Sequence, residues 1–113
     1  MLRWLHLGIN NASVQEAEKV AHIFQDLFQF ENQEKGNSIF TCNNQIELMC
    51  QPGKGEKGHI GLLSDNFDRD LDSLRQKGIA LDESTAAYFQ GQLMSIYLEM
   101  EIAGFAVHIV RGC

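Results

Sequence analysis

The sequence predicts an α+β chain built from two βαβββ modules that join into a curved, incomplete barrel. Three observations carry that expectation. RWLHLGIN opens the chain and GHIGLL opens its second half, each followed by a polar break and an amphipathic stretch at helical spacing. Each half then continues through about three short strand-like runs, so the order of elements repeats. Between the halves stands PGKGEKG, the clearest punctuation in the chain. The expected organisation is one domain over residues 1–113, with module 1 at 1–51, a flexible linker at 52–58 and module 2 at 59–113.

Trp4 to Asn10 reads as a first strand, apolar on both faces as in a strand buried between layers. Ser13 with Glu16 forms a capping box, and Val14, Ala17, Val20, Ala21, Phe24, Leu27 and Phe28 follow at helical spacing. A short strand is expected near Phe30 to Gln33. Asn37 to Cys42 and Gln45 to Gln51 form two more, joined at Asn43-Asn44, a pair that tolerates the positive φ of a tight hairpin. After the linker, His59 to Leu63 is a strand. Asp65 or Asn66 caps a helix with apolar face Phe67, Leu71 and Leu74, and Gly78 ends it. Ala80 to Tyr88, Leu93 to Met100 and Phe105 to Arg111 complete the second module, with a turn at Ala103-Gly104.

Composition narrows the function classes. With 44% hydrophobic and 21% charged residues, the 113-residue chain has the makeup of a globular protein able to bury a core. No apolar run approaches the roughly 18 residues of a membrane span. MLRWLHLGIN lacks the features of a signal peptide, so a cytoplasmic location is expected. A net charge of −6 without clustered Lys or Arg argues against nucleic acid as a partner. Cys42, Cys50 and Cys113 are odd in number and lack CxxC spacing, which suggests reduced thiols and no cysteine zinc site.

Four ionisable residues interrupt otherwise apolar strands. His6 and His59 lie in the first strand of each half, and Glu47 (QIELMC) and His108 (FAVHIV) in the last. Alternation groups His6 with Trp4 and Gly8, Glu47 with Gln45 and Met49, and His108 with Ala106 and Val110. A carboxylate in a buried strand is costly unless paired, protonated or bound to a metal. Three imidazoles and one carboxylate from four equivalent strands suit a divalent transition ion. Any one of these histidines alone would more often be a hydrogen-bonded core residue, and Glu47 alone could face solvent. Coincidence at repeat-equivalent positions favours the metal. His22 falls on the polar face of the first helix, and Tyr97, Glu99 and Glu101 on a solvated strand edge.

HLGIN, QIELM, GHIGL and GFAVHIV, in this order and spacing, resemble the four metal-bearing strands of the vicinal oxygen chelate superfamily. That superfamily groups glyoxalase I, methylmalonyl-CoA epimerase, extradiol dioxygenases and antibiotic-resistance proteins. The resemblance implies a glyoxalase-like fold, a divalent ion (Zn, Ni, Co, Mn or Fe) on His6, Glu47, His59 and His108, and a homodimer. It departs at His108, where glyoxalase-like enzymes usually carry a glutamate that also acts as base; Glu47 or His108 would then take that role. The second half is also similar to the glyoxalase-like domain found after some bacterial 2-dehydro-3-deoxyphosphogluconate / 4-hydroxy-2-oxoglutarate aldolases. The aldolase barrel with its Schiff-base lysine is absent, so only a small 2-oxo or 2-hydroxy acid ligand is implied. The expected activity is a metal-dependent lyase or isomerase working through an enediolate-type intermediate. The alternatives are a non-catalytic ligand-binding or resistance-type module, and a relic whose metal positions form a hydrogen-bond network. Asn10 and Gln51, where the glutathione-dependent enzymes differ, disfavour true glyoxalase activity.

Overall fold

The computed structural model describes residues 1–112 and shows ten elements in the order of two βαβββ units. The first comprises β1 (Leu2–Ile9), α1 (Val14–Phe28), β2 (Gln33–Lys35), β3 (Ser38–Thr41) and β4 (Ile46–Met49). The second comprises β5 (Gly58–Ser64), α2 (Phe67–Gln76), β6 (Leu81–Phe89), β7 (Gln92–Ile102) and β8 (Phe105–Arg111). All eight strands form one open sheet, ordered β2-β3-β4-β1-β5-β8-β7-β6. The first strand of each unit pairs in parallel with its last, and antiparallel pairing of β1 with β5 joins the units. One chain therefore supplies the whole curved sheet.

Local chemistry accounts for most element ends. Ser13 Oγ accepts the Glu16 N–H at 3.2 Å, so α1 begins where the capping pattern places it. Gln29 closes α1 in the left-handed region, with φ 57°. Asn43 and Asn44 hold φ 55° and 65°, and Gln45 N–H donates to Cys42 O at 3.0 Å, closing the β3–β4 turn. Ala103 and Gly104 turn β7 into β8 in the same region. Asn66 occupies the cap position of α2 but makes no side-chain cap bond. Ser64 replaces it: its Oγ accepts the Asn66 N–H at 3.1 Å and donates to Asp70 at 2.6 Å. The short strand expected at Phe30–Gln33 instead forms at Gln33–Lys35, where pairing with β3 is available.

The two helices cover one face of the sheet, and the cores beneath them differ. Under α2, Phe67, Leu71, Leu81, Ile96, Leu98, Val107 and Ile109 form one buried cluster. At about 1.5–3 kcal/mol for each large side chain fully buried, this unit holds most of the hydrophobic stabilisation. Beneath α1 the buried set is only Ala17, Ala21, Ile39 and Leu48. The small alanines let α1 sit close to β3 and β4, while Val14, Leu27 and Phe28, assigned to the apolar face by spacing, remain half or more exposed.

Trp4 departs from the expected pattern. The register steps from Trp4↔Leu62 to His6↔Gly61, so Leu5 is an extra residue in β1 and forms a β-bulge. Paired residues share a face, so Trp4 lies with Leu62, opposite to His6. Half of it is exposed rather than enclosed between layers. Cys42 and Cys50 are free thiols, and Cys113 lies outside the described residues. Among the described residues no helix is long and apolar enough to cross a membrane.

Candidate metal centre

The face of the sheet turned away from the helices carries all four ionisable residues. Gly8 is opposite Glu47 on β4 and opposite His59 on β5. Gly61 is opposite His6 on β1 and His108 on β8. Glu47 and His108 thus occupy equivalent positions, each beside the glycine of its unit's His-x-Gly segment (His6-Leu7-Gly8 and His59-Ile60-Gly61).

Those glycines create the space for the rings. A Cβ on Gly8 would lie 2.0 Å from His59 Cε1, and one on Gly61 would lie 2.9 Å from both His6 Nε2 and His108 Nε2. The imidazole of each first strand therefore rests over the glycine of the other first strand. The repeated His-x-Gly spacing was the sequence signal for this arrangement, and histidine placement alone did not use it.

The donor atoms converge. His6 Nε2 lies 3.0 Å from His59 Nε2, 3.3 Å from His108 Nε2 and 3.4 Å from Glu47 Oε1. His59 Nε2 lies 3.1 Å from Glu47 Oε1. The three histidines each offer a nitrogen within 4.8 Å of the others. Ligand atoms bonded at ~2.1 Å stand about 3.0 Å apart around an octahedral ion and about 3.4 Å apart around a tetrahedral one. The distances among His6, His59 and Glu47 and from His6 to His108 fall in that interval, while Glu47 stands outside the group of mutually close donors that the three histidines form. Two imidazole N–H groups would pair these four atoms by hydrogen bonds, His59 with Glu47 and His108 with His6. The three histidines could also hold a divalent cation, and nitrogen donors suit a transition ion. Against this, His59 Nδ1 is buried without a hydrogen-bond partner, where metal-binding imidazoles usually have one.

Burial and charge shape the residues' acidity. Withdrawal from water pushes His108 down to about 3, and the neighbouring His59 and His6 add to the effect. Burial also lowers His6, against the pull of Glu47. For Glu47 burial favours the neutral acid, but hydrogen bonds from His59 and Ser38 and the charges of His59 and His6 outweigh it. Its carboxyl stays below the usual range. The Ser38 hydroxyl donates to Glu47 Oε2 at 2.7 Å, leaving Oε1 to the histidines.

Two aromatic rings flank the cluster. Phe40 meets His6 edge-on at 6.2 Å, and Tyr97 stacks on His108 at 4.7 Å with planes 16° apart. Tyr97 was expected on a solvated edge. Its register partner is His108, which places it on the inner face beside the site. Ser38, Phe40, Tyr97 and the two glycines are thus the neighbours that reading single strands did not bring out. His22 is exposed on α1 as expected. A surface cleft of about 330 Å³ lined by Glu31, Asn32, Gln33, Asn43 and Asn44 contains none of the four candidate ligands.

No protein-family model matches the chain, and no curated protein is similar enough in sequence to match. Solved structures do match in fold. A hypothetical protein of Bacillus halodurans C-125 is 14% identical, with a TM-score of 0.68 over 99% of this chain and 95% of that one. A methylmalonyl-CoA epimerase is 13% identical, with a TM-score of 0.69 over 97% of this chain and 94% of that one. Another, in complex with methylmalonyl-CoA and ammonium, is 15% identical with a TM-score of 0.64, over 100% and 96% of the two chains. At these identities the likeness establishes the architecture: a glyoxalase-like α+β fold with a curved, incomplete barrel.

Proposed function

We propose that this chain is a divalent-metal-dependent isomerase or lyase acting on a small 2-oxo or 2-hydroxy acid. The observation that carries the reading is the gathering of His6, His59 and His108, whose ring nitrogens lie within 4.8 Å of one another, with Glu47 Oε1 3.1 Å from His59 Nε2 and 3.4 Å from His6 Nε2. These four residues would hold the ion. When bound, it would supply Lewis acidity and chelation for adjacent substrate oxygens, easing loss of a proton next to a carbonyl. The chain's own contribution is to fix the donors over two glycines and to offer a proton acceptor. Glu47 is the better placed acceptor, because Ser38 anchors one oxygen and leaves the other beside His59 and His6. His108 is the second candidate, held against His6 at 3.3 Å and stacked on Tyr97.

The fold likeness to methylmalonyl-CoA epimerases supports isomerisation over lyase chemistry. The resemblance of the second half to aldolase-linked glyoxalase-like domains supports a small acid as substrate. A homodimer is part of the same reading. Two measurements test it. Protein purified without a metal-affinity tag should retain close to one divalent ion per chain, and metal should raise its melting temperature. Absence of both removes the metal centre. Given metal, 2-oxo and 2-hydroxy acids incubated in D2O should exchange the proton next to the carbonyl. Exchange surviving both Glu47→Gln and His108→Ala would eliminate the proposed bases. Ligand binding without any exchange would favour the non-catalytic module.

A further inference from the structure

The segment between the modules is tied to the strands on either side of it by hydrogen bonds. Asn10, at the end of β1, clamps it from both sides: Asn10 Nδ2 donates to Gly55 O at 3.0 Å, and Gly53 N–H donates to Asn10 Oδ1 at 3.0 Å. Lys57 N–H donates to Gly104 O at 2.9 Å, tying the far end to the β7–β8 turn. Gly55, at φ 94°, lies so close to β8 that a Cβ would stand 2.7 Å from Ala106 N. This anchoring delivers Lys54 to the inner face. Its Nζ sits 5.7 Å from the centre of the Tyr97 ring, which itself stacks on His108. It also pairs with Asp82 Oδ2 at 3.2 Å, and Asp82 is the register partner of Tyr97 on that face.

An ammonium one aromatic ring away from the four donors, on a loop held by side-chain hydrogen bonds, is placed to meet an anion. We propose that Lys54 is a substrate-binding residue that receives a carboxylate of the ligand, with Asp82 as its counterion in the ligand-free protein. The proposal rests on the metal-centre reading and deepens it: the preferred ligand carries a second carboxylate besides the oxygens held at the four-donor cluster. Lys54 is 38% exposed and carries a long flexible arm, so it can leave Asp82 for an incoming anion without rearranging the loop.

Calorimetric titration with malonate and with monomethyl malonate, on zinc-loaded and metal-free protein, tests this. The native protein should prefer malonate. Lys54→Gln should weaken malonate binding about tenfold and leave the monoester within twofold, while Lys54→Arg should retain most of the preference. Asp82→Asn should tighten malonate by releasing the lysine. Zinc content and melting temperature recorded on the same samples separate the two ideas. Loss of zinc retention in the native protein sinks the metal centre, and the lysine is then judged on the metal-free titrations. A malonate preference that survives Lys54→Gln in both forms overturns the role of Lys54 whatever the metal does.

Discussion

The imidazole of His59 occupies the space that a side chain on Gly8 would need, with Cε1 only 2.0 Å from where a Cβ would sit. The reciprocal relation holds between His6 and Gly61. Gly8→Ala should therefore drive His59 out of the cluster. We expect a loss of metal affinity of at least tenfold and a destabilisation of about 1–3 kcal/mol, the usual cost of overpacking. Gly61→Ala should behave similarly but more mildly, because the contact at 2.9 Å is to ring edges of His6 and His108 that can yield. Metal titration followed by thermal unfolding checks both. Unchanged affinity in Gly8→Ala would show that the present ring position is not the binding one.

The same burial that gathers the imidazoles makes the metal-free protein acid-sensitive. His108 is held at about 3 and His6 below its usual value by withdrawal from water. In the unfolded chain each would take up a proton near pH 6.5. Between those values the unfolded state binds more protons, so stability is fully present above about pH 6.5 and is lost as the pH falls. The slope is at most about 1.4 kcal/mol per pH unit for each imidazole. Glu47, also lowered, adds loss in the same direction at more acid pH. Melting temperatures from pH 8 to 4 should fall below about 6.5, and His108→Gln should flatten the curve. A flat native profile would contradict the buried, neutral state of these rings.

Hydrophobic stabilisation concentrated under α2 makes a different prediction for Ile96, which is fully buried there. Ile96→Ala should cost about 2–5 kcal/mol through lost burial and the cavity left behind. Metal stoichiometry at a temperature where the variant is folded should not change, because Ile96 faces α2 while its neighbour Tyr97 faces the site. Denaturant unfolding with parallel metal analysis separates the two effects. A loss of metal without loss of stability would reverse the assignment of faces on β7.

Much of this architecture was legible because short-range chemistry determines it. Ser13 and Glu16 mark the start of α1, Asn43-Asn44 and Ala103-Gly104 mark turns by tolerance of positive φ, and His6, Glu47, His59 and His108 stand out as ionisable residues in apolar strands. What escaped depends on pairing between distant segments. Leu5 is apolar like its neighbours, so nothing in strict alternation reveals that it is bulged and that Trp4 changes face. Tyr97 looked like an edge residue until its register with His108 was known. PGKGEKG has the composition of a flexible connector, and its hydrogen bonds to Asn10 and Gly104 come from segments distant in sequence. Leu27 and Phe28 fit the helical period, yet the narrow three-stranded patch under α1 is filled by Ala17 and Ala21 closer in.

Ser38 supplies the last test, because it acts on Glu47 through the oxygen that the histidines do not contact. Its hydroxyl, in a residue only 7% exposed, donates to Glu47 Oε2 at 2.7 Å. That bond is one of the interactions keeping the carboxylate ionised against burial. Ser38→Ala leaves Oε2 without this partner, at a cost of about 1–3 kcal/mol, and should move the Glu47 acidity upward. If Glu47 accepts the substrate proton, the acid limb of the exchange-rate profile should shift to higher pH in Ser38→Ala and return in Ser38→Thr. Metal content should stay within twofold, since Oε1 and the three imidazoles remain in place. An unshifted acid limb with stability lowered as expected would mean that Ser38 holds Glu47 for structure alone, and would move the proton-accepting role to His108.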